Sequence, residues 1–240
     1  MGLKLIDKSL AAIQSGKTFG FADHFVDFVD GGRWTDTSGD TGAAVAKIDG
    51  AGGLVTLTTG ATDNNECYLH TTSELFKVAQ DKPCEFEAWL SHTEANTDDA
   101  NVACGFMDAV GANAILDNGG GPKSSYSGAV FFKVDGGTNW NIEVSNGGTQ
   151  TTVELTAANS LDGVAHTAGG GSQQKFRIEI VPYNSTKAEV RFFIDGVLVY
   201  KVTEWTYTSV TEMDAFIGVK AGDTNSEVVT VDFASFFAVA

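Results

Sequence analysis

The chain has 240 residues, 42% of them hydrophobic and only 3 of them Pro, which suits one large all-β domain of ~200–250 residues rather than two. A formal net charge of −16 and a pI near 4.4 exclude electrostatic binding to nucleic acid or to an anionic membrane, both of which need clustered Lys and Arg. No window approaches the ~20 apolar residues of a membrane span, and the N-terminus lacks the continuous apolar core of a signal peptide.

In chain order, residues 1–18 stand apart as an N-terminal arm. Leu3, Ile6, Leu10 and Ile13 recur at helical three- and four-residue spacing, with Leu5 beside them, and Ser15-Gly16 supplies a stop. A helix this short is marginal alone in water. The arm is therefore expected to dock, either on its own domain or on a neighbouring subunit, through Leu3, Leu5, Ile6, Leu10 and Ile13.

From Phe19 onward strand signals follow one another at short spacing. Ala43–Ile48 and Leu54–Thr58 flank the Gly-rich turn Asp49-Gly50-Ala51-Gly52-Gly53 as an early hairpin. Next come Glu66–His70, Cys84–His92, Val102–Met107, Ala129–Val134, Trp140–Ser145 and Thr151–Thr156, with Ser73–Ala79 reading as a short helix or turn. Cys67, Cys84 and Cys104 have no C-x-x-C spacing and lie in strand-like runs, so they read as reduced, buried thiols. The glycines concentrate in loops, most densely at Asn118-Gly119-Gly120-Gly121-Pro122 and Gly169-Gly170-Gly171. Gly121-Pro122-Lys123-Ser124-Ser125 has no helical pattern behind it, which removes the phosphate-cradling reading.

The clearest signals lie between Lys175 and Val202. Phe176-Arg177-Ile178-Glu179-Ile180 and Ala188-Glu189-Val190-Arg191-Phe192 alternate with period 2, and Pro182-Tyr183-Asn184-Ser185-Thr186 turns the chain between them. Asp195-Gly196 then predicts a type I′ hairpin into Val197-Leu198-Val199-Tyr200, because that turn needs positive φ at both central residues. Met213–Ala221 and Val228–Phe237 complete the set. The sum predicts an all-β fold, a two-sheet antiparallel jelly-roll sandwich over residues 19–240, with Phe176, Ile178, Ile180, Val190, Phe192 and Ile194 facing one core.

Phe193-Ile194-Asp195-Gly196-Val197-Leu198-Val199 after a long Arg-Ile-Glu strand resembles the late part of concanavalin A-like lectin/glucanase and laminin-G-like sandwiches. Phe21-Ala22-Asp23-His24-Phe25 followed by Trp34 is similar to the opening of many members of that superfamily. Thr59–Glu66, Thr93–Val102 and Gly128–Gly137 further resemble tailed-bacteriophage proteins in which such sandwiches serve as capsid decoration or head-fibre components. The resemblance spans residues ~20–235. It implies a non-enzymatic virion structural protein, made in the host cytoplasm and placed on the outer capsid surface, whose partners are the major capsid protein and neighbouring copies of itself. The acidic charge suits a shell exterior better than a face toward packaged DNA.

The same superfamily contains glycoside hydrolases, which place three acidic side chains on one strand face. In Glu85-Phe86-Glu87-Ala88-Trp89 the third position is an indole, so Glu85 and Glu87 read as members of a Glu/Arg ladder across strands 84–92, 176–181 and 188–194. His24, His70, His92 and His166 are scattered singly, without H-E-x-x-H or a Cys pair for zinc, and no G-x-S-x-G elbow marks a nucleophilic serine. No cofactor is expected. Calcium is the metal left open, because Asp63-Asn64-Asn65-Glu66 and Asn96-Thr97-Asp98-Asp99 are oxygen-rich, though neither has EF-hand spacing and acidic turns are usually just solvated. The rival function is a lectin-like module binding host glycan. Asn139, Trp140 and Asn141, or Trp205, would supply an aromatic platform with amide hydrogen bonds, provided that the indoles are exposed.

Overall fold

The computed structural model describes residues 18–240; the expected arm, with Leu3, Leu5, Ile6, Leu10 and Ile13, lies outside the described residues. Among the described residues the chain is all-β. The strands are β1 (Thr18–Asp23), β2 (Trp34–Thr37), β3 (Ala44–Ile48), β4 (Leu54–Thr58), β5 (Glu66–Thr71), β6 (Cys84–Thr93), β7 (Asn101–Met107), β8 (Ser127–Lys133), β9 (Asn141–Asn146), β10 (Gln150–Glu154), β11 (Gln174–Pro182), β12 (Lys187–Ile194), β13 (Val197–Thr206), β14 (Asp214–Lys220) and β15 (Val228–Val239). Ser73–Ala79 forms no helix: Phe76 makes an isolated bridge to Met213.

The strands form two antiparallel sheets. The eight-stranded one has the order β13-β12-β11-β6-β15-β4-β3, with β1 also on β15, and the seven-stranded one β10-β9-β8-β7-β14-β5-β2. Alternation dictates what lies between them. Phe176, Ile178 and Ile180 of β11 and Val190, Phe192 and Ile194 of β12 enter one core, as their period-2 pattern requires. There Phe131 of the opposite sheet meets Phe176 and Phe192 edge-on, both at 5.2 Å between ring centroids. The hairpin between β12 and β13 turns at Asp195 and Gly196 with φ of 52° and 83°, the two positive values that a type I′ turn demands. Near the start of the chain, Asp23 accepts hydrogen bonds from the Phe25 N–H at 2.7 Å and from Trp34 Nε1 at 3.1 Å. That carboxylate ties β1 to β2.

The seven-stranded sheet has a second apolar cluster on its other face. Tyr68, Ala103, Met107, Val130, Phe132 and Phe216 point away from the inter-sheet core and are covered by Ala114, Ile115 and Tyr126. These three belong to the connection from β7 to β8, where Asn118–Pro122 reads in the sequence only as a flexible loop. The connection is instead built into the fold. Ile115 N–H donates to Tyr68 Oη at 3.0 Å, and the Lys220 ammonium donates to Asn113 Oδ1 and to the Ile115 carbonyl at 2.9 and 3.0 Å. Gly218 permits the close approach, because a Cβ there would stand 2.5 Å from the Tyr68 ring.

Candidate functional site

The outer face of the eight-stranded sheet is uncovered in a different way. With Cys84, Phe86, Ala88 and Leu90 of β6 in the core, Glu85, Glu87 and Trp89 share the opposite face. Pairing sets Lys175, Arg177 and Glu179 of β11 across from Trp89, Glu87 and Glu85, and Arg191 of β12 across from Glu179. The expected Glu/Arg ladder is present. Arg177 Nη1 stands 2.5 Å from Glu179 and 3.7 Å from Glu85, while Arg191 meets Glu189 at 2.5 Å and Glu179 at 3.4 Å. Within it Glu85 is only 1% exposed, and neither of its oxygens has a hydrogen-bond partner. Burial pushes its carboxyl up to about 7; Arg177 opposes the rise, and Glu179 and Glu87 add to it. Glu87 accepts the Trp89 indole N–H at 2.7 Å.

The indoles expected to stack on glycan are inside. Trp140 is 2% and Trp205 4% exposed, which corrects the assignment of a sugar platform to either. Trp140 shares the inward parity of Ile142 and Val144, packs on Phe176 at 4.7 Å, and donates from Nε1 to Gln174. Trp205 pairs with Ala188, itself a core residue. Asn139 binds Glu154, and Asn141 reaches the carbonyls of Phe132 and Asn139. Of the 4 tryptophans, Trp34 is also buried, and Trp89 alone keeps a partly exposed ring. Around it stand Phe233 at 4.9 Å and His24 at 6.2 Å between centroids, with the Lys175 ammonium 3.9 Å above the ring. Sequence reasoning placed Trp89 on this face beside Glu85 and Glu87 but gave it no binding role; the strand parities of the other three indoles are the signal that isolates it.

The two oxygen-rich loops meet at one end of the sandwich. Asn96 Nδ2 donates to Asp223 at 3.2 Å, and Asn64 N–H donates to the Ala221 carbonyl. Desolvation and the neighbouring Asp223 raise the Asp99 carboxyl, and desolvation and Asp99 raise that of Asp135. Glu66 is already engaged by Tyr68, Asn113 and Lys220, so the first loop lacks its terminal carboxylate as a free ligand. Beneath this end lie His92, Glu94 and Glu227, whose ligand atoms fall within 4.8 Å of one another. The remaining histidines have separate settings: His70 lies between Thr37 and Asp214, and His166 pairs with Asp162. All three cysteines are free and buried, and burial raises the thiols, to about 12 for Cys67 and Cys84.

No family model and no curated protein sequence matches the chain. Its fold is that of concanavalin A- and legume-lectin-like jelly-roll domains. The carbohydrate recognition domain of Emp46p, in its potassium-bound form, superposes with a TM-score of 0.61 at 9% identity, over 92% of this chain and 96% of that one. Peanut lectin gives 0.58 at 11% identity, over 92% and 97%. An endo-1,3-beta-glucanase from Streptomyces sioyaensis gives 0.56 at 15%, over 93% and 97%. The fold therefore serves both lectins and glucan-degrading enzymes, and at these identities the likeness speaks for the fold alone.

Proposed function

We propose that this chain is a non-enzymatic carbohydrate-binding module whose ligand surface is the outer face of the eight-stranded sheet around Trp89. The observation that carries the reading is exposure: one indole out of four remains at the surface, on a rigid strand, flanked by Phe233, His24 and the polar groups of Lys175, Glu87 and Arg177. A sugar ring stacks its C–H face on such an indole and hydrogen-bonds at its rim. Lys175 is exposed, and its cation–π contact, worth ~0.5–1 kcal/mol at such a site, is weak enough to yield to a ligand. The neighbours named as a lectin and a carbohydrate recognition domain support this class. Against hydrolysis stand the filled outer face of the other sheet and a Glu85 carboxyl sealed from substrate.

Glycan-array binding tests the reading. Trp89→Ala should abolish binding, while Trp140→Phe, an interior change, should leave it. Retained binding in Trp89→Ala would remove the platform, and polysaccharide cleavage that vanishes in Glu87→Gln would make the chain a hydrolase.

A second reading sets the module on the outer capsid surface of a tailed phage, against the major capsid protein and copies of itself. Its support is the sequence resemblance and the net charge of −16. Purified protein should then bind mature shells that lack it, and deletion of residues 2–16 should weaken that binding if the arm is the anchor. Failure of the full chain to bind any shell ends this reading and leaves the first untouched.

A further inference from the structure

Glu227 lies immediately before β15 with 0% exposure. Its two oxygens share a single backbone donor, the Ala95 N–H, at 3.2 and 3.1 Å, and face His92 Nε2 at 3.4 Å. A carboxylate offers about four acceptor positions, so this one is poorly satisfied. His92, at 6% exposure, has no partner at Nδ1. Glu94 brings the second carboxylate, held by the Ala100 N–H at 2.8 Å and by Lys133 Nζ at 2.7 Å. That ammonium is fully used, since its remaining hydrogens go to the carbonyls of Asp98 and Ala100 at 2.7 and 2.8 Å. The one lysine at this end is thus spent on the partly buried Glu94, and the charge on the fully buried Glu227 lacks a fixed cation. Buried charge in that state is costly unless paired or bound to a metal.

We propose that His92, Glu94 and Glu227 bind a first-row divalent cation, Zn²⁺ or Mn²⁺. One imidazole and two carboxylates are the donor set that these ions accept and that an all-oxygen calcium loop lacks. The donor atoms already lie within 4.8 Å of one another, so side-chain movements of about 1 Å bring them to the ~2.0–2.2 Å ligand distances of zinc. Entry is through a surface hollow lined by Ser91, His92, Thr93, Val228 and Thr230, which also admits water to the open coordination positions. The bound ion ties the end of β6 to the start of β15 and, through the Ala95 and Ala100 amides, fixes the loop that carries Asn96 and Asp99. This clamp is independent of the Trp89 face.

The experiment uses the full chain, stripped with a chelator and titrated separately with ZnCl₂, MnCl₂ and CaCl₂ by calorimetry, with thermal melting at each end point. The expected result is one equivalent of Zn²⁺ or Mn²⁺ and a raised Tm. His92→Gln and Glu227→Gln should each weaken uptake about tenfold or more, and the surface pair Asp99→Asn/Asp223→Asn should leave it unchanged. Should Glu227→Gln fail to fold, His92→Gln decides alone. No uptake of either ion, uptake indifferent to His92→Gln, or binding of calcium only with loss in the surface pair would each overturn the proposal.

Discussion

The two sheets share one core, yet their outer faces were solved by opposite means. On the seven-stranded sheet the outward positions of β7, β8 and β14 are Ala, Gly, Met, Val or Phe for most of their length, and every residue of those strands is buried. On the eight-stranded sheet β12 alternates strictly between buried and half-buried residues, and its outer face carries ion pairs. The difference teaches how to read a strand: a continuous apolar run reports a cover on both faces, whereas alternation reports one wet face. The cover is the chain's own loop between β7 and β8. The face without one is where a ligand has room.

The largest expected effect tests this division within one strand. Phe192, at 0% exposure, and Phe193, half-buried with the Arg177 guanidinium 3.8 Å from its ring, are adjacent but face opposite ways. Phe192→Asp buries an unpaired charge at a cost of several kcal/mol against a net stability of ~5–15, and should leave no cooperative melt. Phe193→Asp should change stability by about 1 kcal/mol or less, since the new carboxylate sits beside Arg177. The reverse outcome, with Phe192→Asp tolerated and Phe193→Asp unfolding, would mean that the register is one residue out.

Next in size is the loop-covered face. Tyr68 is fully buried, donates to Glu66 at 2.7 Å and accepts from the Ile115 amide. Tyr68→Ala should cost ~3–5 kcal/mol, as large-to-small changes of buried aromatic residues do, and should open residues 108–126 to limited proteolysis before the rest unfolds. A variant that melts early but is cut no faster there would show that the loop does not depend on this ring.

How much of this was legible follows from the same contrast. β3 to β15 could be placed because alternation or an apolar run marks them, and Asp195-Gly196 named its own turn. β1 and β2 were harder: Gly20 interrupts the first, with φ of +135° against the Phe236 carbonyl, and Trp34–Thr37 is only four residues long. The second core was hidden because Gly and Asn dominate the loop that supplies it, while its contributions, Ala114, Ile115 and Tyr126, are isolated apolar residues without a period. The exposure expected of Trp140 and Trp205 failed for a related reason. An indole in a strand carries no mark of which face it takes until neighbouring parities are fixed, and at Trp140 and Trp205 that face is inward.

Glu85 gives a pH-dependent test of the open face. Its carboxyl is raised from 4.5 to about 7 in the folded chain, so the folded state holds the proton more tightly than the unfolded one. The stability tied to this group is complete below pH ~4.5 and is lost as the pH climbs through 7. Glu85→Gln mimics the protonated form at every pH. It should therefore match the parent near pH 4 and exceed it at pH 8 by on the order of 2–3 kcal/mol, the opposing pull of Arg177 being already contained in the raised value. A loss of stability at pH 8 would show that Glu85 is ionised and well paired with Arg177.

The smallest effect is expected from the exposed end of the ladder, and its smallness is the point. Arg191 contacts Glu189 and Glu179 at 2.5 and 3.4 Å, but its side chain is 39% exposed, so water and salt screen the pairs, and ordering the long side chain offsets part of the gain. Arg191→Ala should cost ~0.2–1 kcal/mol, with the deficit shrinking in high salt. If the ladder were instead a cooperative network, the loss would exceed that range and survive salt, because removing Arg191 would leave Glu179, only 8% exposed, with Arg177 as its one remaining cation among the described residues. The outer face would then be held as firmly by charge as its counterpart is by apolar packing, and a ligand at Trp89 would meet a surface unable to adjust.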